Sequence, residues 1–179
     1  MAKRKRKRKT LSERVLKTVP VYGDRFQLEH LRDWDKEARL LIQKELENSL
    51  DYLKPMLQSA VEEGDHKLVK RIEGVRRNLH ATEELIRTSP APYSATYTAM
   101  KTVGEEEIKS VIDLDEDVYG ISQDICALAE EAGDAFPGDR GKALSIAEST
   151  AARTREIRKI YTKRHVTITR PKERGVPPY

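Results

Sequence analysis

The sequence predicts an all-α, four-helix-bundle-like domain with a basic N-terminal arm and an extended C-terminal tail. Three observations carry this expectation. Apolar residues recur every three or four positions over four long stretches. Glycine- and proline-bearing turns separate those stretches. The chain also opens with Lys3, Arg4, Lys5, Arg6, Lys7, Arg8 and Lys9, seven consecutive positive charges that no core accepts and that repel one another into an extended arm.

The elements follow in order. Thr10-Leu11-Ser12-Glu13 has the spacing of a capping box and predicts a short helix to about Lys17, ended by Pro20 and the Tyr22-Gly23-Asp24 turn. Asp24, with Gln27 three residues on, is expected to cap a long helix. Its stripe is Leu31, Trp34, Ala38, Ile42, Leu46, Leu50, Leu53, Leu57 and Ala60, which continues past Pro55 and so predicts a kink there and not a break. Gly64 ends that helix and Asp65 caps the next, whose stripe is Leu68, Ile72, Val75, Leu79, Thr82 and Ile86, stopped by Ser89-Pro90-Ala91-Pro92. Residues 88–104 lack helical periodicity and predict a crossover or a contact loop. A third long helix starts near Glu105, with Glu106 and Glu107 suited to its N-terminus, and its seam is Leu114, Val118, Ile121, Ile125, Leu128 and Ala132. A turn at 133–138 leads to a fourth, from about Gly141 to Arg164, where Ala143, Ala147 and Thr150 allow close approach before Ile157 and Ile160. Val166-Thr167-Ile168-Thr169 alternates like a short strand, and Pro171, Pro177 and Pro178 extend the tail. The expected organisation is an arm and short helix over 1–23, a bundle over 24–165 and a tail over 166–179.

A chain of 179 residues suits one domain with a real core. The net charge of +4 conceals a segregation: residues 1–9 carry +7, residues 153–179 carry +7, and residues 10–152 carry −10. The single cysteine, Cys126, excludes an intramolecular disulfide and a thiolate-rich zinc site, and reads as an inert small hydrophobe. No apolar run is long enough to span a membrane, and the basic N-terminus lacks the apolar segment of a signal peptide, so a virion or cytoplasmic location is expected and secretion is not. Two asparagines and four glutamines among many Glu, Lys and Arg suggest a thermophilic source.

Charge at the density of the arm is the footprint of phosphate binding. A nuclear import signal and a solubilising tail are the competing readings of the same residues. The fourth long helix adds Arg155, Arg158, Lys159 and Lys163 on the side opposite Ile157 and Ile160, with Arg153 and Arg164 flanking the apolar edge. A charged helix face is usually a solvated face, but Glu156 is the only acid between Arg153 and His165. The expected nucleic-acid contacts are therefore Lys3 to Lys9 with Arg155, Arg158, Lys159, Lys163 and Arg164. If both basic segments lie on one side of the bundle, they form one cationic surface.

No metal or other cofactor is expected. Glu63-Gly64-Asp65-His66 has a Glu-x-x-His spacing but straddles a helix-ending glycine. Asp113, Asp115 and Asp117 have the start of a calcium loop without its glycine, and Asp113 with Asp117 reads as an exposed i,i+4 acidic pair, suited to a cationic arm from another copy. The four histidines are scattered, and no phosphate loop, nucleophile elbow or paired-carboxylate motif is present, so no catalytic residue is expected.

With the Lys3–Lys9 arm, the capped helix after Thr10, the four-helix body and the composition in view, the chain resembles the major coat proteins of filamentous archaeal viruses with double-stranded DNA. That resemblance is architectural, spans the whole chain loosely and rests on no specific motif. It implies a bundle behind a basic arm, with paired subunits wrapping the viral DNA. The expected function is structural: coating or packaging duplex DNA without base preference, alongside other copies of the chain or a paralogous subunit. The alternatives are a cytoplasmic helical adaptor that binds a protein partner, and an RNA- or ribosome-associated protein.

Overall fold

Five helices form the fold in a computed structural model that describes residues 10–18, 28–89 and 105–169. They are α1 (Leu11–Thr18), α2 (Leu28–Glu62), α3 (His66–Thr88), α4 (Glu105–Ala135) and α5 (Arg140–Thr169). The Lys3–Lys9 arm, the Pro20 to Asp24 turn, the expected cap at Asp24, the stop at Pro90–Pro92 and the proline-rich residues 170–179 lie outside the described residues. Among the described residues there is no strand, and the protein is an all-α helical bundle.

Local chemistry sets the helix boundaries. The capping box forms as its spacing implies: Glu13 N–H donates to Thr10 Oγ1 at 3.1 Å and Thr10 N–H donates to Glu13 Oε2 at 3.2 Å. Gly64 takes the left-handed conformation (φ 69°) that a helix C-terminus favours. Asp65 then accepts from Leu68 N–H at 3.0 Å and starts α3. Asp139 does the same for α5 through Lys142 N–H at 2.9 Å. Helix α2 runs through Pro55 without interruption.

Each long helix packs on two others, in the ring order α2, α3, α5, α4. The α2–α3 and α4–α5 hairpins lie side by side, so α2 neighbours α4 and α3 neighbours α5. Both of those pairs are parallel. Asp35, Glu45 and Tyr52 of α2 stand level with Asp115, Tyr119 and Gly133 of α4, while Arg71 and Thr82 of α3 stand level with Glu148 and Arg158 of α5. Helices α3 and α4 thus occupy diagonal corners, joined through residues 90–104.

The core confirms the α3 stripe residue for residue: Leu68, Ile72, Val75, Leu79, Thr82 and Ile86 are all buried. On α2 the buried residue after Leu53 is Met56, and Leu57 is only half-buried. On α4, Val118, Ile125 and Ala132 are buried as expected. Ile121 and Leu128 are half-buried, and Tyr119, Ser122 and Ala129 take the centre. A helix flanked by two neighbours needs a wider face than a two-helix seam supplies. Leu11 and Val15 bury α1 against α2 and α4.

One expected element is corrected. Val166-Thr167-Ile168-Thr169 is the last turn of α5, not a strand, and the bundle extends to Thr169. Four alternating residues do not specify a strand without a partner, whereas extending an existing helix adds one hydrogen bond per residue fixed.

Candidate nucleic-acid interface

The start of α1, which follows the basic arm in sequence, and Arg164 of the second basic segment are anchored on consecutive residues of one helix. Glu116 of α4 accepts from the first backbone amides of α1: Leu11 N–H at 2.9 Å on Oε1, and Ser12 N–H at 3.0 Å on Oε2, with Ser12 Oγ at 3.1 Å. A carboxylate on a helix N-terminus satisfies otherwise unpaired amides and complements the helix dipole. Arg14 reinforces the seat, 3.5 Å from Glu45 and over the Tyr119 ring at 5.5 Å. Residue 10, from which the Lys3–Lys9 arm continues, is thereby fixed on α4.

Asp115, the residue before Glu116, turns inward and holds the other basic segment. Arg164 of α5 donates through Nε to Asp115 Oδ1 at 2.7 Å and through Nη2 to Asp115 Oδ2 at 3.2 Å, and it also bonds Asp35 of α2. Arg39, 3.1 Å from Asp35, bonds the carbonyls of Ile86 and Ser89 at the end of α3. Four helices are tied at one end by two carboxylates and two guanidiniums. Burial opposes the charge on Arg164, but Asp115 and Asp35 outweigh it and hold its pKa above the ordinary range. Burial pushes the Asp115 carboxyl up, with Arg164 pulling against it.

This placement corrects one expected contact. Arg164 is a core residue, 1% exposed, with both faces of its charge committed inside the fold, so it offers nothing to a phosphate. It lies at the edge of the apolar stripe, where a long side chain reaches either solvent or the interior, and buried acids decide the matter. Arg158 is half-committed: it donates to Thr82 Oγ1 and to Asn78 O, both at 3.1 Å. Arg155, Lys159 and Lys163 are exposed on α5. Lys3 to Lys9 lie outside the described residues.

Helix pairing also reveals a charge layering that no single segment displayed. The neighbours α2 and α4 carry 19 carboxylates and six basic residues, whereas α3 and α5 carry 14 basic residues and five carboxylates. The exposed Lys67, Lys70 and Arg77 of α3 belong to that basic layer and were missed in the sequence. The signal was the net charge of α3 taken with α5, but nothing in the chain order said that these two helices are neighbours.

Among the described residues no cluster of His, Cys, Asp and Glu is placed to hold a metal. Glu63 bonds Arg140 and Ser59 instead. Asp113 and Asp117 face outward while Asp115 faces the core. Among the described residues no helix is long and apolar enough to cross a membrane. A shallow cavity of about 420 Å³ lies beside the arm anchor, lined by Thr10, Glu116, Asp117, Tyr119, Gln123 and Asp124 among others, and its acidic lining suits no phosphate. No family model, curated protein or solved structure matches the chain.

Proposed function

We propose that this protein is a structural nucleic-acid-binding protein that coats or packages duplex DNA through its basic extensions, in the manner of a viral coat protein, and that it performs no catalysis. The observation that carries the reading is the anchoring of both basic segments at Asp115 and Glu116. Leu11 and Ser12, which follow the +7 of residues 1–9, and Arg164, within the +7 of residues 153–179, are thereby held beside each other although remote in sequence. Like charges brought together this way repel, and a polyanion removes that cost. The exposed Arg155, Lys159 and Lys163 of α5 would supply further phosphate contacts.

Binding of this kind neutralises phosphates without reading bases. The arm brings charge and none of the Asn, Gln or aromatic groups that contact base edges or stack on them. The duplex partner is therefore bound for its charge and shape.

Electron microscopy of the purified protein with and without linear duplex DNA tests the reading. DNA-dependent filaments or coated duplexes are the expected result. Absence of any association at low salt overturns it, and equal coating of duplex RNA would reassign the partner.

A further inference from the structure

Beyond Gly141 in the first turn of α5, three glycines lie inside helices of the bundle, and only one has an internal reason to be there. A Cβ at Gly133 would sit 3.1 Å from the Tyr52 carbonyl oxygen, so α2 and α4 approach closely there. A Cβ on Gly74 or on Gly120 would meet nothing within 4 Å. Each of those two weakens its helix relative to alanine and returns nothing inside the fold.

Their surroundings mirror each other. Gly120 lies on the outer face of α4 between Asp117 and Asp124, in a stripe that runs Asp113, Asp117, Gly120, Asp124, Ala127, Glu131 with steps of four and three. Gly74 lies on the outer face of α3 between Lys70 and Arg77, in a stripe that runs Lys67, Lys70, Gly74, Arg77, Ala81 with steps of three and four. One stripe is acidic with small residues, the other basic with small residues, and both have the spacing of a helix–helix contact. Among the described residues no carboxylate pairs with Lys67 or Lys70, and no base pairs with Asp113 or Asp117.

We propose that the acidic α4 stripe of one copy docks on the basic α3 stripe of a second copy, with Gly120 and Gly74 letting the two helix backbones approach and the flanking charges fixing register. The contact is heterologous, since each copy presents two different surfaces. Because α3 and α4 occupy diagonal corners of the bundle, their outer faces point in opposite directions, and each added copy exposes a fresh stripe. The assembly is an open row, not a closed dimer. Added in one orientation, the copies all present the Asp115–Glu116 end to the same side.

Sedimentation velocity of the full chain at low salt, over a range of protein concentrations, tests this with Gly120→Leu and Gly74→Leu. Both substitutions point into open space and raise helix propensity, so thermal melts should show folds at least as stable as the original. The intact chain is expected to form a concentration-dependent series of species that collapses at high salt. Each variant alone should remain monomeric. Their equimolar mixture should give dimers and nothing larger, because one variant keeps its α3 stripe and the other its α4 stripe. A monomeric intact chain, self-association of either variant to the intact level, or a mixture that stays monomeric would each overturn the proposal. The assay contains no nucleic acid, so its failure leaves the DNA-coating reading to be decided by microscopy.

Discussion

Asp115 and Glu116 are consecutive on α4 and hold opposite ends of the described chain, Asp115 through the buried guanidinium of Arg164 and Glu116 through the amides of Leu11 and Ser12. A helix turns about 100° per residue, so one carboxylate enters the core while its neighbour reaches the flanking helix α1. The pair thus fixes the start of α1 and the buried Arg164 on neighbouring positions of one helix.

Glu116→Ala should loosen α1 without opening the bundle. The two amides and the Ser12 hydroxyl lose their acceptor, at a cost of about 1–3 kcal/mol for hydrogen bonds to a charged group. Hydrogen exchange should rise at Leu11 and Ser12 while α3 and the α4–α5 core keep their protection. Uniform loss of protection would contradict the local role.

Arg164→Met leaves Asp35 and Asp115 buried beside each other with only Arg39 nearby. Breaking a buried ion pair in this way costs about 3–5 kcal/mol at neutral pH. Burial already holds the Asp115 carboxyl above its ordinary value, and losing Arg164, which pulls it down, raises it further in the variant. A raised carboxyl adds stability below its unfolded pKa and loses it as pH climbs through the folded one. Urea melts should therefore show the variant weakest, relative to the intact chain, at neutral pH and partly recovered near about pH 4. A deficit that is the same at both pH values would contradict it.

The helix-interior glycines separate cleanly. Gly120→Ala should raise the stability of the isolated bundle by about 1 kcal/mol, since the added methyl meets open space. Gly133→Ala gains the same propensity but drives a Cβ to 3.1 Å from the Tyr52 carbonyl, so it should melt below Gly120→Ala and below the intact chain. Thermal melts at high salt measure both.

Burial pushes the Cys126 thiol up to about 11, with Glu45 adding to the effect. Roughly one thiol in a thousand is then ionised at about pH 8, and the thiolate is the reactive species. Alkylation should be far slower than for a free thiol at that pH and should accelerate steeply as the pH approaches 11. A rate that levels off by about pH 10 would mean an ordinary thiol.

What the sequence revealed was local. The capping box at Thr10 and Glu13, the Gly64 stop, the Asp65 cap and the whole α3 stripe are set by contacts within a few residues, and their spacing exposes them. Arg164 was misplaced because its partners, Asp115 and Asp35, stand 49 and 129 residues away. The basic layer of α3 and α5 was equally hidden, since it depends on which helices are neighbours. The strand expected at Val166 to Thr169 failed because β-branched alternation describes a pleated surface with a partner, and none is offered.

The central claim is that both basic segments meet one polyanion, and the salt dependence of duplex DNA binding addresses it most directly. Slopes of log K against log salt are to be compared for the intact chain, a deletion of residues 3–9, Arg155→Gln/Lys159→Gln/Lys163→Gln, and the two combined. Each phosphate neutralised contributes about 0.9 to the slope, so the deletion should flatten it by up to about six and the triple substitution by up to about three, with the combination losing both. Slopes unchanged by either alteration, or a triple substitution that leaves the slope of the intact chain untouched, would contradict the convergence of the two segments on DNA.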